Sequence, residues 1–298
     1  SYRTSGGVKM SASDFGIKQV VIIGGGQMGG GVAEVMAKAG LQTVVREITP
    51  ELAEKSQAGI EKSLNRALER GKLDEEAHVA ALSNLSFTTE LGDLASSDLV
   101  VEAVVESYEL KAQIFSEIDE IVTSAEAVLA TNTSSIPIID IAMNTKRPEQ
   151  VVGLHFFNPA PVMKLVEVIP SVRTAESVIE NITGFTTEVI NKTVVAAKDR
   201  AGFVVNMLLV PYLLAAMKMY EAGHATAEDI DAGMKLGAAH PMGPLELSDM
   251  IGLDTMLLVG ETLFEEYGDA FYLPPPLLKR MVAAGQLGRK SGQGFYSY

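Results

Sequence analysis

The chain has 298 residues, 47% hydrophobic and 21% charged, a length that fits about two domains and a balance that buries an ordinary core. Its formal charge of −14 provides no basic footprint, so neither nucleic acid nor an anionic membrane is expected as a main partner. It has no cysteine, which excludes disulfide and thiolate chemistry and fits a cytoplasmic location. The four histidines, His78, His155, His224 and His240, show no metal-ligand spacing, so no metal site is expected.

Residues 1–17 are small and polar and are expected to be a flexible tail, with Met10 as a native start and Ser1–Lys9 as a foreign leader. From there to about residue 200, β-branched runs alternate with helical periods, the pattern of a parallel α/β sheet. The expected strands are Gln19–Ile23, Thr43–Arg46, Leu99–Ala103, Val128–Thr131, Val151–Phe157, Lys164–Ile169 and Thr193–Ala197. Two helices, Pro50–Glu69 and Asp74–Ala81, fall between the second and third strands; Thr49-Pro50 is a start signal and Gly71 a stop. Beyond residue 200 the period is helical, and Phe203–Tyr220 reads as a buried helix interrupted by Asn206, Pro211 and Lys218, too short for a membrane span. The expected division is therefore a tail (1–17), a Rossmann-like α/β domain (18–200) and an all-helical domain (201–298).

Val20–Ile23 runs straight into Gly24-Gly-Gly-Gln-Met-Gly29, a G-x-G-x-x-G turn followed by an alanine-rich helical segment. Gly24 permits the tight turn, Gly26 the close approach of a pyrophosphate, and Gly29 close helix–strand packing; Gln27 and Met28 open the helix whose N–H groups face the phosphates. The acidic Glu47 ends the next strand, where a carboxylate accepts the ribose hydroxyls and repels a 2′-phosphate. These residues point to NAD as cofactor. A turn serving packing alone is the plainer alternative, and Arg46 would tolerate a 2′-phosphate only if it swung to the side of Glu47, against strand alternation.

Two apolar strands flank Asn158-Pro-Ala-Pro161. An antiparallel pairing centred on Pro161 puts His155 opposite Glu167, each among Val, Leu and Phe, where an ionisable group needs a partner. Two readings stand: a structural pair that locks a hairpin, or a base whose imidazole tautomer is fixed by a carboxylate, as alcohol oxidation requires. Lys55, Lys62, Arg66 and Arg70 share one face of the Pro50–Glu69 helix, equally readable as a solvated surface or as a stripe for coenzyme A phosphates.

Gly24–Gly29, Asn132-Thr-Ser-Ser135, His155-Phe-Phe-Asn-Pro-Ala-Pro161 with Glu167, Gly202-Phe-Val-Val-Asn206, His240-Pro-Met-Gly-Pro244 and Leu287–Phe295 occur in one order. In that order the sequence resembles the L-3-hydroxyacyl-CoA dehydrogenase family, from about Lys18 to Tyr298. The resemblance implies an NAD-dependent oxidoreductase of acyl-CoA metabolism, most similar to the bacterial stand-alone enzymes for the four-carbon substrate, with a homodimer built by the helical domain. It implies His155 as base and Glu167 as its orienting partner, Ser134 on the substrate 3-oxygen, and Asn206 and Asn158 near the acyl group. Glu106, Lys111 and Asn132 would line the nicotinamide end, and Ser56 and Lys62 the coenzyme A moiety. The family usually has aspartate where this chain has Glu47. The rival expectations are a related dehydrogenase of a small free hydroxy acid or sugar acid, and a nucleotide-binding protein without turnover.

Overall fold

The computed structural model describes residues 8–298, and the chain divides between Asp199 and Arg200 into two units. In the first unit, β1 (Gln19–Ile23) leads through the glycine turn into α1 (Gln27–Lys38) and β2 (Gln42–Arg46). Next come α2 (Pro50–Glu69), α3 (Glu75–Ser83), β3 (Leu85–Thr88), β4 (Leu99–Glu102), α4 (Tyr108–Ile121) and β5 (Val128–Thr131). The short α5 (Ile138–Ala142), β6 (Val151–Phe156), β7 (Leu165–Pro170), α6 (Glu176–Glu188) and β8 (Thr193–Ala196) complete it.

The eight strands form one sheet in the order β3-β2-β1-β4-β5-β6-β7-β8. β3 to β6 run parallel, β7 is antiparallel to β6, and β8 follows β7 in parallel. Val20–Ile23, Leu99–Val101 and Leu129–Ala130 are buried on both faces, which is why these strands read as unbroken apolar runs. The chain order reverses between β1 and β4, and the crevice at the carboxyl ends of those strands is where ligands of such sheets bind. β3 has no counterpart among the expected strands: Leu85-Ser-Phe-Thr is a short, half-buried edge strand whose alternation spans four residues.

The helix signals in the sequence act as local chemistry requires. The Thr49 hydroxyl accepts from the Leu52 N–H at 3.2 Å and Pro50 takes the first helical position, while Asp74 caps α3 through the Ala77 N–H at 2.8 Å. The expected flexible tail needs correction. Ala12–Phe15 form a 3-10 turn, Ile17 is buried, and the Phe15 ring packs edge-on against Phe185 of α6 at 6.4 Å. Gly184 allows this, since a Cβ there would lie 2.6 Å from the Phe15 ring, and the Asn181 amide donates to the Phe15 carbonyl at 3.0 Å. An aromatic and an isoleucine in a polar-looking segment were enough to dock it; residues 1–7 lie outside the described residues.

The second unit is helical: α7 (Val205–Glu221), α8 (Ala227–Ala232) running into a π turn over Gly233–Gly237, α9 (Pro244–Ile251), α10 (Leu253–Tyr267) and α11 (Pro276–Ala283). Its core is built on Leu213, Leu214, Met217, Leu245, Leu253 and Met256. α7 runs through Pro211 and buries Val210, Leu213, Leu214 and Met217, but the expected burial is partial, since the equally apolar Leu208 is 73% exposed. Two buried carboxylates hold the chain end. Asp231 accepts from the Leu245 and Glu246 N–H groups and the Tyr296 hydroxyl, and Asp249 from the Phe295 and Tyr296 N–H groups and the Tyr298 hydroxyl. No helix among the described residues is long and apolar enough to cross a membrane.

Candidate active site

The glycine turn sits at the carboxyl end of β1. Gly24 has φ +89°, and a Cβ there would meet the Ala103 carbonyl at 2.9 Å; a Cβ on Gly29 would overlap the Gly24 carbonyl, so both positions admit only glycine. Gly26 caps α1 without a side chain, and no atom of the described residues lies within 4 Å of where its Cβ would be. The first-turn N–H groups therefore open onto space, with Gly26 and Gln27 exposed and Met28 packed partly into the core. Beside the turn, Glu47 accepts from the Gly25 N–H at 2.5 Å, which fixes its carboxylate at the end of β2. Arg46 turns the other way and donates to the Thr89 carbonyl at 3.4 Å. A bare helix N-terminus for phosphate beside a fixed carboxylate for ribose hydroxyls fits an NAD-type dinucleotide.

Ser56 was expected near a coenzyme A chain; instead it lies under the glycine turn. It is 5% exposed, its hydroxyl has no hydrogen-bond partner among the described residues, and a Cβ on Gly25 would collide with it. α2 thus packs its Ser56 face against the turn, and the exposed Lys55, Lys62, Arg66 and Arg70 point elsewhere.

A charged network lies at the ends of β4 and β5. Lys111, 1% exposed on α4, donates to Glu102 at 2.6 Å and to the Val104 carbonyl at 3.3 Å, and stands 3.7 Å from Glu106. Glu102 also accepts from the Thr131 hydroxyl and the Val104 N–H, both at 2.8 Å. Glu106 accepts from the Thr133 hydroxyl at 2.7 Å and from the Ser134 N–H and hydroxyl at 2.9 and 3.0 Å. Lys111 was expected to line the cofactor; its ammonium is committed to the interior and acts on Glu106 from behind. Glu102 escaped the sequence reading, although an acid ending an apolar strand is itself a signal. Asn132 binds inward as well, its side-chain oxygen accepting from the Phe156 N–H at 2.8 Å. Asp199, also missed, accepts from the Ile138 and Ile139 N–H groups at 2.7 and 2.9 Å and so holds the first turn of α5.

β6 and β7 pair as the hairpin spacing requires, with His155 opposite Glu167. His155 Nδ1 and Glu167 Oε1 are 2.8 Å apart, with His155 6% and Glu167 0% exposed, and Phe157 lies edge-on to the imidazole at 4.7 Å. A carboxylate in this position accepts from an Nδ1–H, and it thereby favours the tautomer whose lone pair is on Nε2. The register Ile23↔Glu102↔Thr131↔Gly153 runs across the parallel strands, so His155 stands two residues beyond that line, level with Gly25 and Thr133. The dinucleotide turn, Ser134 and the His–Glu pair thus share the carboxyl edge of one sheet. Asn158 follows on the exposed loop, and Asn206 lies half-buried on the first turn of α7 in the second unit.

A family model described as the NAD-binding domain of 3-hydroxyacyl-CoA dehydrogenase matches residues 19–200, and one described as the C-terminal domain matches residues 202–298. The chain is 52% identical over 282 residues to a 3-hydroxybutyryl-CoA dehydrogenase of Mycobacterium tuberculosis, covering 95% of this chain and 99% of that one. The crystal structure of M. tuberculosis FadB2 superposes with a TM-score of 0.94 at 52% identity over 95% of this chain and 99% of the other. That of an (S)-3-hydroxybutyryl-CoA dehydrogenase from Ralstonia eutropha gives 0.90 at 42% identity, with the same shares.

Proposed function

The chain belongs to the 3-hydroxyacyl-CoA dehydrogenase family, and on that footing we propose that it interconverts (S)-3-hydroxybutyryl-CoA and acetoacetyl-CoA with NAD. The observation that carries this reading is the buried His155–Glu167 pair on the same sheet edge as the glycine turn. Bound NAD supplies the hydride acceptor. His155 Nε2 removes the 3-hydroxyl proton, and Glu167 orients the ring and stabilises the imidazolium as it forms. Ser134, held by Glu106, hydrogen-bonds the substrate 3-oxygen, while Asn158 and Asn206 contact the acyl group. Gly24, Gly26, Gln27, Met28 and Gly29 seat the pyrophosphate, Glu47 the adenosine ribose, and Asn132 and Glu106 border the nicotinamide. Lys111 serves through Glu106, Ser56 through the turn, and Lys62 meets coenzyme A. In the reductive direction the same imidazolium returns the proton.

We further propose that the protein acts in the cytoplasm as a homodimer joined through the second unit. Among the apolar residues of that unit, Leu213, Met217 and Met256 are buried in its own core. Leu208 and Leu258 remain exposed, as do Leu236 (86%) and Met250, an apolar allotment suited to an isologous contact.

The test is the initial rate of NADH oxidation over a series of 3-oxoacyl-CoA thioesters beginning at four carbons. His155→Gln should lower kcat by ~10²–10⁴-fold with NADH binding retained, and Glu167→Gln by about 10²-fold or more. The double variant should be little worse than His155→Gln, because the two act as one unit. A nearly active His155→Gln enzyme overturns the mechanism, and equal turnover of free acetoacetate overturns the thioester assignment.

A further inference from the structure

Lys192 has no part in the chemistry above, yet it is 8% exposed just before β8. Its partners among the described residues are two carbonyls and no carboxylate: Nζ donates to Ala160 and to Met163, each at 2.7 Å. Burial, with Lys38 nearby on α1, pushes its ammonium below the ordinary lysine range. A buried cation without a counter-charge is costly unless its hydrogen bonds hold something in place.

What it holds is the loop between His155 and Glu167. Within that loop the Pro159 carbonyl accepts from the Val162 and Met163 N–H groups at 3.0 Å, and the Thr193 N–H donates to the Lys164 carbonyl at 2.7 Å. The loop also rests on α1. A Cβ on Gly31 would come within 3.2 Å of both the Ala160 Cβ and the Pro161 Cδ, so the missing side chain is what lets the loop seat there. Ala160, 1% exposed, is the residue that both contacts share. Gly31 lies on the helix that begins at the dinucleotide turn, two residues past Gly29.

We propose that Lys192 is a positioning residue that clamps the Asn158–Lys164 loop onto the helix behind the dinucleotide turn and so sets the height of His155 and Asn158 above the cofactor. The proposal rests on His155 being the base. With the clamp released the hairpin remains paired, but its loop end rides free of α1, and misplacement of about 1 Å in such a group lowers turnover by as much as ~10²-fold.

Three variants of the full chain, assayed with NADH and acetoacetyl-CoA, test it. Lys192→Met keeps the aliphatic stem and removes the donors; it should lower kcat about tenfold or more, with the NADH Kd and thioester KM changed less than about threefold. Because the chain has no cysteine, Lys192→Cys can be alkylated at that one thiol with 2-bromoethylamine while unfolded and then refolded, which rebuilds an amine of lysine length. Its kcat should be low before treatment and recover to at least about half of the native value afterwards, a rescue that a general packing defect would not give. Gly31→Ala should lower kcat in the same direction, and combined with Lys192→Met should fall short of the product of the two losses. If Lys192→Met retains kcat within about twofold, or aminoethylation restores none of the lost kcat, the clamp is refuted. Measuring His155→Gln alongside separates the two readings: activity there overturns the base and the clamp together, whereas an inactive His155→Gln beside a fully active Lys192→Met overturns the clamp alone.

Discussion

Replacing Lys111 with Met removes the ammonium from the β4–β5 network and leaves Glu102, 0% exposed, with the Thr131 hydroxyl and the Val104 N–H as donors. Breaking a buried ion pair from one side costs ~3–5 kcal/mol, because the surviving charge stays buried. For a unit of this size each kcal/mol moves Tm by ~2–4 °C, so Lys111→Met should melt roughly 6–20 °C lower by differential scanning calorimetry. Glu102→Gln combined with Lys111→Met removes both charges and should cost at least ~1 kcal/mol less than the sum of the single changes. The same loss reaches the site: Glu106 loses the cation 3.7 Å behind it, so its hold on Ser134 slackens. kcat should therefore fall in Lys111→Met even at temperatures where it is fully folded. A Tm change below ~3 °C, or strictly additive single losses, would refute the idea that this pair is an energetically coupled foundation for the site.

With Glu47 held by the Gly25 N–H and Arg46 turned to Thr89, NADH should exceed NADPH by at least about tenfold in kcat/KM, ~1.4 kcal/mol, and equal use would mean that Glu47 does not govern the ribose site. Burial, and then the hydrogen bond to Asp249, push the Tyr298 hydroxyl up to about 12. The folded second unit thus holds that proton more tightly than the unfolded chain, whose tyrosine titrates near ~10. Its contribution to stability is complete below the lower value and fades as pH rises through the higher one, so denaturation midpoints should drop across that window and Tyr298→Phe should flatten the drop. Static light scattering at micromolar concentration should give about twice the 31.8 kDa chain mass; a monomer mass would remove the proposed isologous contact, and Leu208→Glu should produce that monomer if the contact runs along α7.

What could be read from the sequence was whatever depended on local spacing. The glycine turn, the cap at Thr49 and the pairing of His155 with Glu167 each follow from residues a few positions apart or mirrored about one turn. What escaped depended on tertiary geometry. Ser56 occupies a polar helix position from which no rule predicts that the side chain will face Gly25. Lys111 is the clearest case: nothing in Tyr108–Ile121 distinguishes a buried lysine from a solvated one, because its partner Glu102 ends a strand in a different segment. Lys192 is hidden for the same reason, since its acceptors are carbonyls, which every residue has. The docking of Phe15 on α6 joins segments about 170 residues apart, beyond any periodicity.

The pairing of β6 with β7 makes the acid–base couple all-or-none. Residues in a ladder alternate faces, so sliding β7 one position past β6 would set Val166 or Val168 opposite His155 and turn Glu167 to the other side of the sheet. No intermediate register weakens the contact by degrees. Sequence drift within these two strands can therefore only keep the couple or abolish it, and gradual adjustment of the basicity and reach of His155 falls to the residues around the hairpin.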